Sequence, residues 1–355
     1  MHFGKFIGGI IIFLVPVFYV FAQQEQAGLT HCLDPATRAV SLSDANINGT
    51  IFIDSSDHIR GIRRDIPTTY VIANSDHYKS FGNKGSFSPD GKWFVYPTGT
   101  SERANWQDRH YHATRLNFID TRTGLLVFYI PIDTYLFFVS GSYPLRPEYA
   151  TTNWLSSTHY MLDESTVINV ETQSLENFID LIPPEELAGG IISPDLERMI
   201  INKRIIDIAS GETLFETENI VRWLKDGTGY YVLSSDLTTI SVYNDDGRLR
   251  FSVGDFNTFT TVSSTGRWLA WGEYSGDYPN GTYNFFIMNT EGKQVTELCT
   301  EVRDIVFSPD DTQAVILTNE INQSRMWLLN LENWKATPVD IYLSMANRFV
   351  GWYAD

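Results

Sequence analysis

The chain has 355 residues, with 14% aromatic and only 19% charged side chains. That length suits one large domain or two ordinary ones. The formal net charge of −17 argues against binding nucleic acid or anionic lipid, since both rest on Lys and Arg facing phosphate. Abundant aromatic and β-branched residues lean the prior towards sheet.

Residues 1–22 read as a targeting segment. Lys5 gives a short basic start, Phe6 to Ala22 is apolar and uncharged, and Val20-Phe21-Ala22 offers small residues where a signal peptidase reads. The apolar run is about 17 residues with Pro16 inside it, so a cleaved signal is expected, with an uncleaved anchor as the alternative. Residues 23–46 read as a linker and 47–355 as the folded domain. Export implies an oxidising compartment, in which the two cysteines, Cys32 and Cys299, either pair or stay as thiols.

Two turn signals then recur along the chain. The first is Phe87-Ser88-Pro89-Asp90-Gly91-Lys92, which returns as Ile192-Ser193-Pro194-Asp195 and Phe307-Ser308-Pro309-Asp310-Asp311. Weaker copies start at Trp154, Trp223 and Val262. Pro presets φ, Asp caps its own backbone, and Gly accepts the left-handed conformation that closes a hairpin. The second signal is a strand ending in a polar turn, as in Ile119-Asp120-Thr121-Arg122-Thr123-Gly124, Ile206 to Gly211, Val242 to Gly247 and Ile287 to Gly292. The unit therefore reads as four short antiparallel strands. One such sheet cannot bury both of its faces, whereas a radial array can.

The Ser-Pro-Asp-Gly turns carry a resemblance to WD-repeat-like propellers of the TolB type, over roughly residues 49–355. The chain lacks the Gly-His and Trp-Asp pairs of true WD repeats. The resemblance implies an all-β propeller. Phe349 to Tyr353 looks like a first strand cut off before its turn, while Thr50 to Asp54 and Gly61 to Ile66 look like the later strands of a blade lacking its start. Joined, they make one composite blade, giving about seven four-stranded blades; six or eight remain open because 66–86 is ambiguous.

Extra residues fall in three stretches, about 97–115, 131–151 and 272–283. The strand order predicts that all three emerge on one face of the disc as long loops. They hold Trp106, Tyr111, Tyr135, Tyr143, Tyr149, Tyr274, Tyr278 and Tyr283, with Asp108, Glu148, Glu273 and Asp277. Tyr and Trp give large contact area with a polar handle, which suits a protein, peptide or glycan partner; the plainer alternative is that they pack the loops onto the disc.

Motifs for catalysis are missing: no H-E-x-x-H, no G-x-S-x-G, no phosphate-binding Gly loop and no C-x-x-C. His110-x-His112 beside Asp108 has ligand-capable types without a third and fourth ligand, and Asp245-Asp246-Gly247 and Asp310-Asp311 lack the full calcium ladder. No cofactor or metal is expected. The expectation is an exported, secreted or periplasmic, non-catalytic binding protein using the aromatic loops. The alternative is a hydrolase or lyase acting on glycans or peptides between paired carboxylates in the central funnel.

Overall fold

The computed structural model describes residues 29–354, except 56–57, 67, 75–84, 104–108, 138–153, 163–165, 178–190, 196, 202, 237, 255–259, 276–281, 293, 321–322 and 345–347. The expected signal segment lies outside the described residues.

Seven sheets form the molecule. Blade 1 comprises Ser86–Phe87, Trp93–Arg103, Arg109–Asp120 and Leu125–Phe137. Blade 2 has His159–Met161, Thr166–Asn169 and Ser174–Asn177, with Trp154 bridging to Tyr160 in the first-strand position. Blade 3 runs through Ile191–Ile192, Arg198–Ile201, Arg204–Asp207 and Thr213–Glu216. Blade 4 runs through Ile220–Trp223, Gly229–Leu233, Ile240–Asn244 and Leu249–Val253. Blade 5 holds Thr260–Val262, Trp268–Ser275, Thr282–Asn289 and Gln294–Leu298. Blade 6 holds Val302–Phe307, Gln313–Glu320, Gln323–Asn330 and Ala336–Leu343. Blade 7 is the composite: Arg348–Tyr353 pairs antiparallel with Thr50–Ser55, followed by His58–Ile62 and Tyr70–Asn74. The protein is a seven-bladed β-propeller.

Each sheet is too thin to have an interior of its own, so the apolar core sits between blades. Phe52 and Ile59 of blade 7 pack on Phe87 and Phe94 of blade 1. Phe118 and Leu116 of blade 1 meet Tyr160 and Ile168 of blade 2. The same happens around the ring, through Val167 and Met199, Ile205 and Tyr230, Val242 and Leu269, Ile287 and Ile316, and finally Val315 and Ile51. Seven clusters thus close a circle.

The repeated turn explains itself chemically. In blade 1 the Ser88 hydroxyl donates to Asp90 Oδ1 at 2.7 Å and accepts from the Trp93 amide at 3.0 Å, while Gly91 sits at φ +73°. A Cβ on Gly91 would also strike the Tyr353 ring. Blade 6 repeats the pattern with Ser308, Asp310 and the Gln313 amide. There Asp311 takes the glycine position at φ +56°. Its buried carboxylate accepts from the Ser263 hydroxyl at 2.7 Å and the Ser264 amide at 3.1 Å, and its carbonyl accepts from Trp268 Nε1 at 3.0 Å. Backbone strain at Asp311 is thus offset by a latch from blade 6 onto blade 5.

The stretch read as a linker, 23–46, contributes two further strands. Leu29–His31 lies parallel to Gln294–Leu298 on the outer edge of blade 5, and Val40–Ser41 lies parallel to Ala336–Leu343 on blade 6. Cys32 and Cys299 are joined in a disulfide, with Cα atoms 5.0 Å apart across 267 residues of sequence.

Candidate functional site

Two places on a propeller can hold a partner: the mouth of the central channel and the face built by the connections. The faces are told apart by the turns. Thr121 Oγ1 donates to Gly91 O at 2.6 Å and Thr290 Oγ1 to Gly266 O at 2.9 Å, so first–second and third–fourth strand turns share one side. Neighbouring turns touch on that side: Gly227 lies against Pro194, the Asp226 amide donates to Ser264 O, and Asn48 Nδ2 donates to Asp310 Oδ2 at 3.2 Å. The second–third strand hairpins and the ends of the fourth strands therefore open on the opposite side.

On that opposite side blade 1 outgrows blade 4. Its second strand has 11 residues against 5 in blade 4, so its hairpin runs about 20 Å further at roughly 3.3 Å per residue. The fourth strand follows it, with Phe137 opposite His110. Bulges at Thr98/Gly99 and at Ala113/Arg115 re-aim this three-stranded flap. Blade 5 carries a shorter hairpin, Trp268–Ser275 against Thr282–Asn289. Much of what the sequence reads as loop is thus paired strand. A long hairpin satisfies its own backbone polar groups in a ladder, which an irregular loop of that length cannot.

The sequence-predicted residues fall into two groups. Tyr111, Tyr135 and Tyr274 lie in strands, at register positions opposite Leu136, His112 and Tyr283 respectively. Trp106, Tyr143, Tyr149 and Tyr278 lie outside the described residues, as do Asp108, Glu148 and Asp277. Glu273 accepts from Trp271 Nε1 at 2.9 Å. Also on this side are Arg303, second in its strand, and Arg348, first in its own, on neighbouring inner strands. Burial holds both guanidinium groups below their ordinary value, and for Arg303 the charge of Arg348 adds to the effect. Arg303 is held by Ser324 Oγ at 3.0 Å, beside the blade 6 hairpin tip. No sequence pattern marks these arginines, because strands 45 residues apart bring them together.

At the mouth on the turn side, all seven blades line a cavity of about 280 Å³. Each contributes the residue that enters its turn: Phe87, Trp154, Ile192, Trp223, Val262, Phe307 and Tyr353. The wall is therefore mainly apolar. Arg222 and Lys225 add positive charge, and Lys225 Nζ stands 5.0 Å from the centroid of Tyr353, linking blade 4 to blade 7. Asp90 is the one carboxylate among the described lining residues. It is held by Ser88, by the Lys92 amide at 3.2 Å and by Lys92 Nζ at 3.3 Å. Between blades 3 and 4, outside this lining, burial pushes the Tyr230 phenol up to about 12.

Among the described residues no group of three His, Cys, Asp or Glu is arranged to hold a metal. Asp310 and Asp311 bond to Thr312, Thr265 and their neighbouring turns, and Asp246 to the Arg248 amide at 3.0 Å. Each thus takes part in closing a turn.

Among solved structures, the chain is similar to TolB from Acinetobacter baumannii, with 14% identity over 86% of this chain and 68% of that one, at a TM-score of 0.40. It is also similar to the dihydro-heme d1 dehydrogenase NirN in complex with DHE, at 12% identity, 90% and 77% coverage and a TM-score of 0.46. A third is the β-propeller domain of Cps50 (Swd1) from Myceliophteria thermophila, at 12% identity, 83% and 96% coverage and a TM-score of 0.38. No family model and no curated protein matches the chain.

Proposed function

We propose that this is an exported, non-catalytic binding propeller of the TolB-like, WD-repeat-like kind. It recognises a protein, peptide or glycan through the face on which the hairpins of blades 1 and 5 emerge. The observation that carries the reading is the length of blade 1: three of its four strands continue well past the disc, to Arg103, from Arg109 and to Phe137. Strands beyond what the ring needs add nothing to closure, and a rigid sheet presents side chains at lower entropic cost than a loop. The aromatic residues of the three stretches supply contact area. Arg303 and Arg348 at the base of this face favour a partner with acidic or carbonyl-rich groups. The disulfide supports export.

A central-funnel hydrolase needs two opposed carboxylates, and the described lining offers Asp90 with its oxygens engaged. The binding reading therefore stands first. It is tested by screening the purified exported chain against glycan and peptide arrays, then measuring the hits against Trp106→Ala, Tyr278→Ala and a variant in which 99–113 is replaced by a two-residue turn. Each aromatic loss should weaken binding about 30-fold, the scale of an interface hot spot, with melting unchanged. Full affinity in the shortened variant would remove the proposal.

A further inference from the structure

The channel mouth on the turn side is built by repetition, and repetition makes it a preformed cavity. All seven blades stand in the wall of its 280 Å³. At roughly 30 Å³ per molecule that is room for about nine waters. Phe87, Trp154, Phe307 and Tyr353 of the wall are buried, so their positions are fixed by packing. Phe87 and Tyr353 stack with centroids 5.8 Å apart, which ties blade 1 to blade 7. Trp223 Nε1 donates to Ile191 O at 2.8 Å, which ties blade 4 to blade 3. Apolar walls give water few partners, so an apolar group that displaces poorly held water gains affinity.

Charge in this wall is one-sided. In a chain of net charge −17, both cations of the described lining, Arg222 and Lys225, come from blade 4. Arg222 lies opposite Tyr231 in register, and its Nη1 donates to the Val221 carbonyl at 2.8 Å, which orients the guanidinium. Lys225 reaches across the mouth to blade 7, with Nζ 5.0 Å from the Tyr353 centroid. A cation over an aromatic face at an exposed site is held weakly, and a full negative charge outcompetes the ring. The one described lining carboxylate, Asp90, already serves Ser88 and Lys92. Asp195 and Asp226 of the neighbouring turns are not among the lining residues and accept from the Glu197 amide at 3.1 Å and the Thr228 amide at 3.0 Å.

We propose that the turn-side mouth is a binding site for a small amphipathic carboxylate. Its apolar body, of about eight to twelve carbons, fills the channel between the aromatic walls. Its carboxylate sits at blade 4, where the planar Arg222 fork matches two oxygens at once. Lys225 exchanges the Tyr353 ring for the same carboxylate and closes the mouth behind it. The site lies on the side of the disc opposite the hairpins of blades 1 and 5, so it is independent of the binding face proposed above. The cavity volume suits a small molecule and not a folded partner.

Calorimetric titration of the purified chain with octanoate, decanoate and 2-naphthoate tests this. At least one should bind with a dissociation constant on the order of 10 to 100 µM, and the tryptophan fluorescence should change with the same constant, since Trp154 and Trp223 stand in the wall. Octanol, with the apolar body and no charge, should bind about tenfold more weakly or not at all. Arg222→Gln and Lys225→Gln should each weaken the carboxylate about tenfold with melting unchanged. Val262→Trp, which fills the cavity from blade 5, should abolish binding. Replacing 99–113 by a two-residue turn should leave it intact, which separates this site from the hairpin face. No binding by any of the three carboxylates, octanol binding as well as octanoate, or affinity indifferent to both charge removals would each overturn the proposal. So would an acidic peptide that binds at the mouth and is blocked by Val262→Trp while the carboxylates stay inert, which would assign the channel to peptide.

Discussion

Blades 1 and 6 are built from one repeat, yet they end in opposite ways. Blade 6 is tied on every side: Val40–Ser41 covers its outer strand, Asp311 latches it to blade 5, and buried Asp304 accepts from the Phe349 amide at 2.7 Å to bind it to blade 7. Blade 1 is fixed through its packed faces, by Phe87, Phe94 and Phe118 with Phe128 and Ile130 of the outer strand, and no further strand pairs with its outer edge among the described residues. Its second, third and fourth strands run on beyond the length of those in blade 4. Ring closure needs buried inter-blade faces and leaves the outer edge free to diverge. Where stability is needed the edge is strapped, and where it is left open a partner surface can be built.

The comparison breaks first at the covalent strap. Replacing Cys32 and Cys299 by Ser frees a 267-residue loop in the unfolded chain and should cost about 2–5 kcal/mol. The denaturant midpoint of the oxidised and Ser forms measures it. If the two coincide, the strap contributes nothing to ring closure. Next comes the latch. Asp311→Ala removes the acceptor of the Ser263 hydroxyl and Ser264 amide while keeping a side chain at positive φ, which should cost roughly 2–3 kcal/mol. Asp311→Asn keeps an acceptor and tolerates that φ, so it should fall in between. A ranking with Asn worse than Ala would show that charge, not acceptor geometry, closes the turn.

The smallest effect lies in pH. His31, in the blade 5 strap, packs 5.8 Å from Trp334 with its Nε2 buried and lacking a hydrogen-bond partner among the described residues. Burial holds its pKa below the free value of 6.5. The folded state therefore prefers the neutral ring, so this contribution is present above the unfolded value and lost as pH falls through the folded one. Stability measured between pH 8 and about pH 5 should decline on this account, and His31→Phe should flatten the decline. An unchanged slope would place the acid sensitivity elsewhere.

Some of this architecture is legible in the residues themselves. The Ser-Pro-Asp turns mark the hairpins because Ser88, Asp90 and Gly91 close them locally, with no help from the rest of the chain. The composite blade is legible because Phe349 to Tyr353 reads as a first strand and Thr50 to Asp54 as a later strand, and the two pair. The straps are not, since Leu29–His31 and Val40–Ser41 are too short for any periodicity and their partners lie more than 260 residues away. Nor is the flap, where 97–103 and 109–115 read as loop but pair as strand. The candidate surface was legible only as composition: aromatic residues in long insertions, without the register that aligns Tyr135 with His112.

By itself the sequence determined the repeat, the strand order and hence which ends share a face, because these follow from local turn chemistry and from sheets too thin to stand alone. Tertiary structure decided the rest: which edges are strapped, that Asp311 serves a neighbouring turn, and that Leu125, Leu126, Val127 and Tyr129 stay exposed. Those outcomes depend on what arrives beside each strand once the ring closes, and segments distant in sequence carry no local signal of whom they will meet.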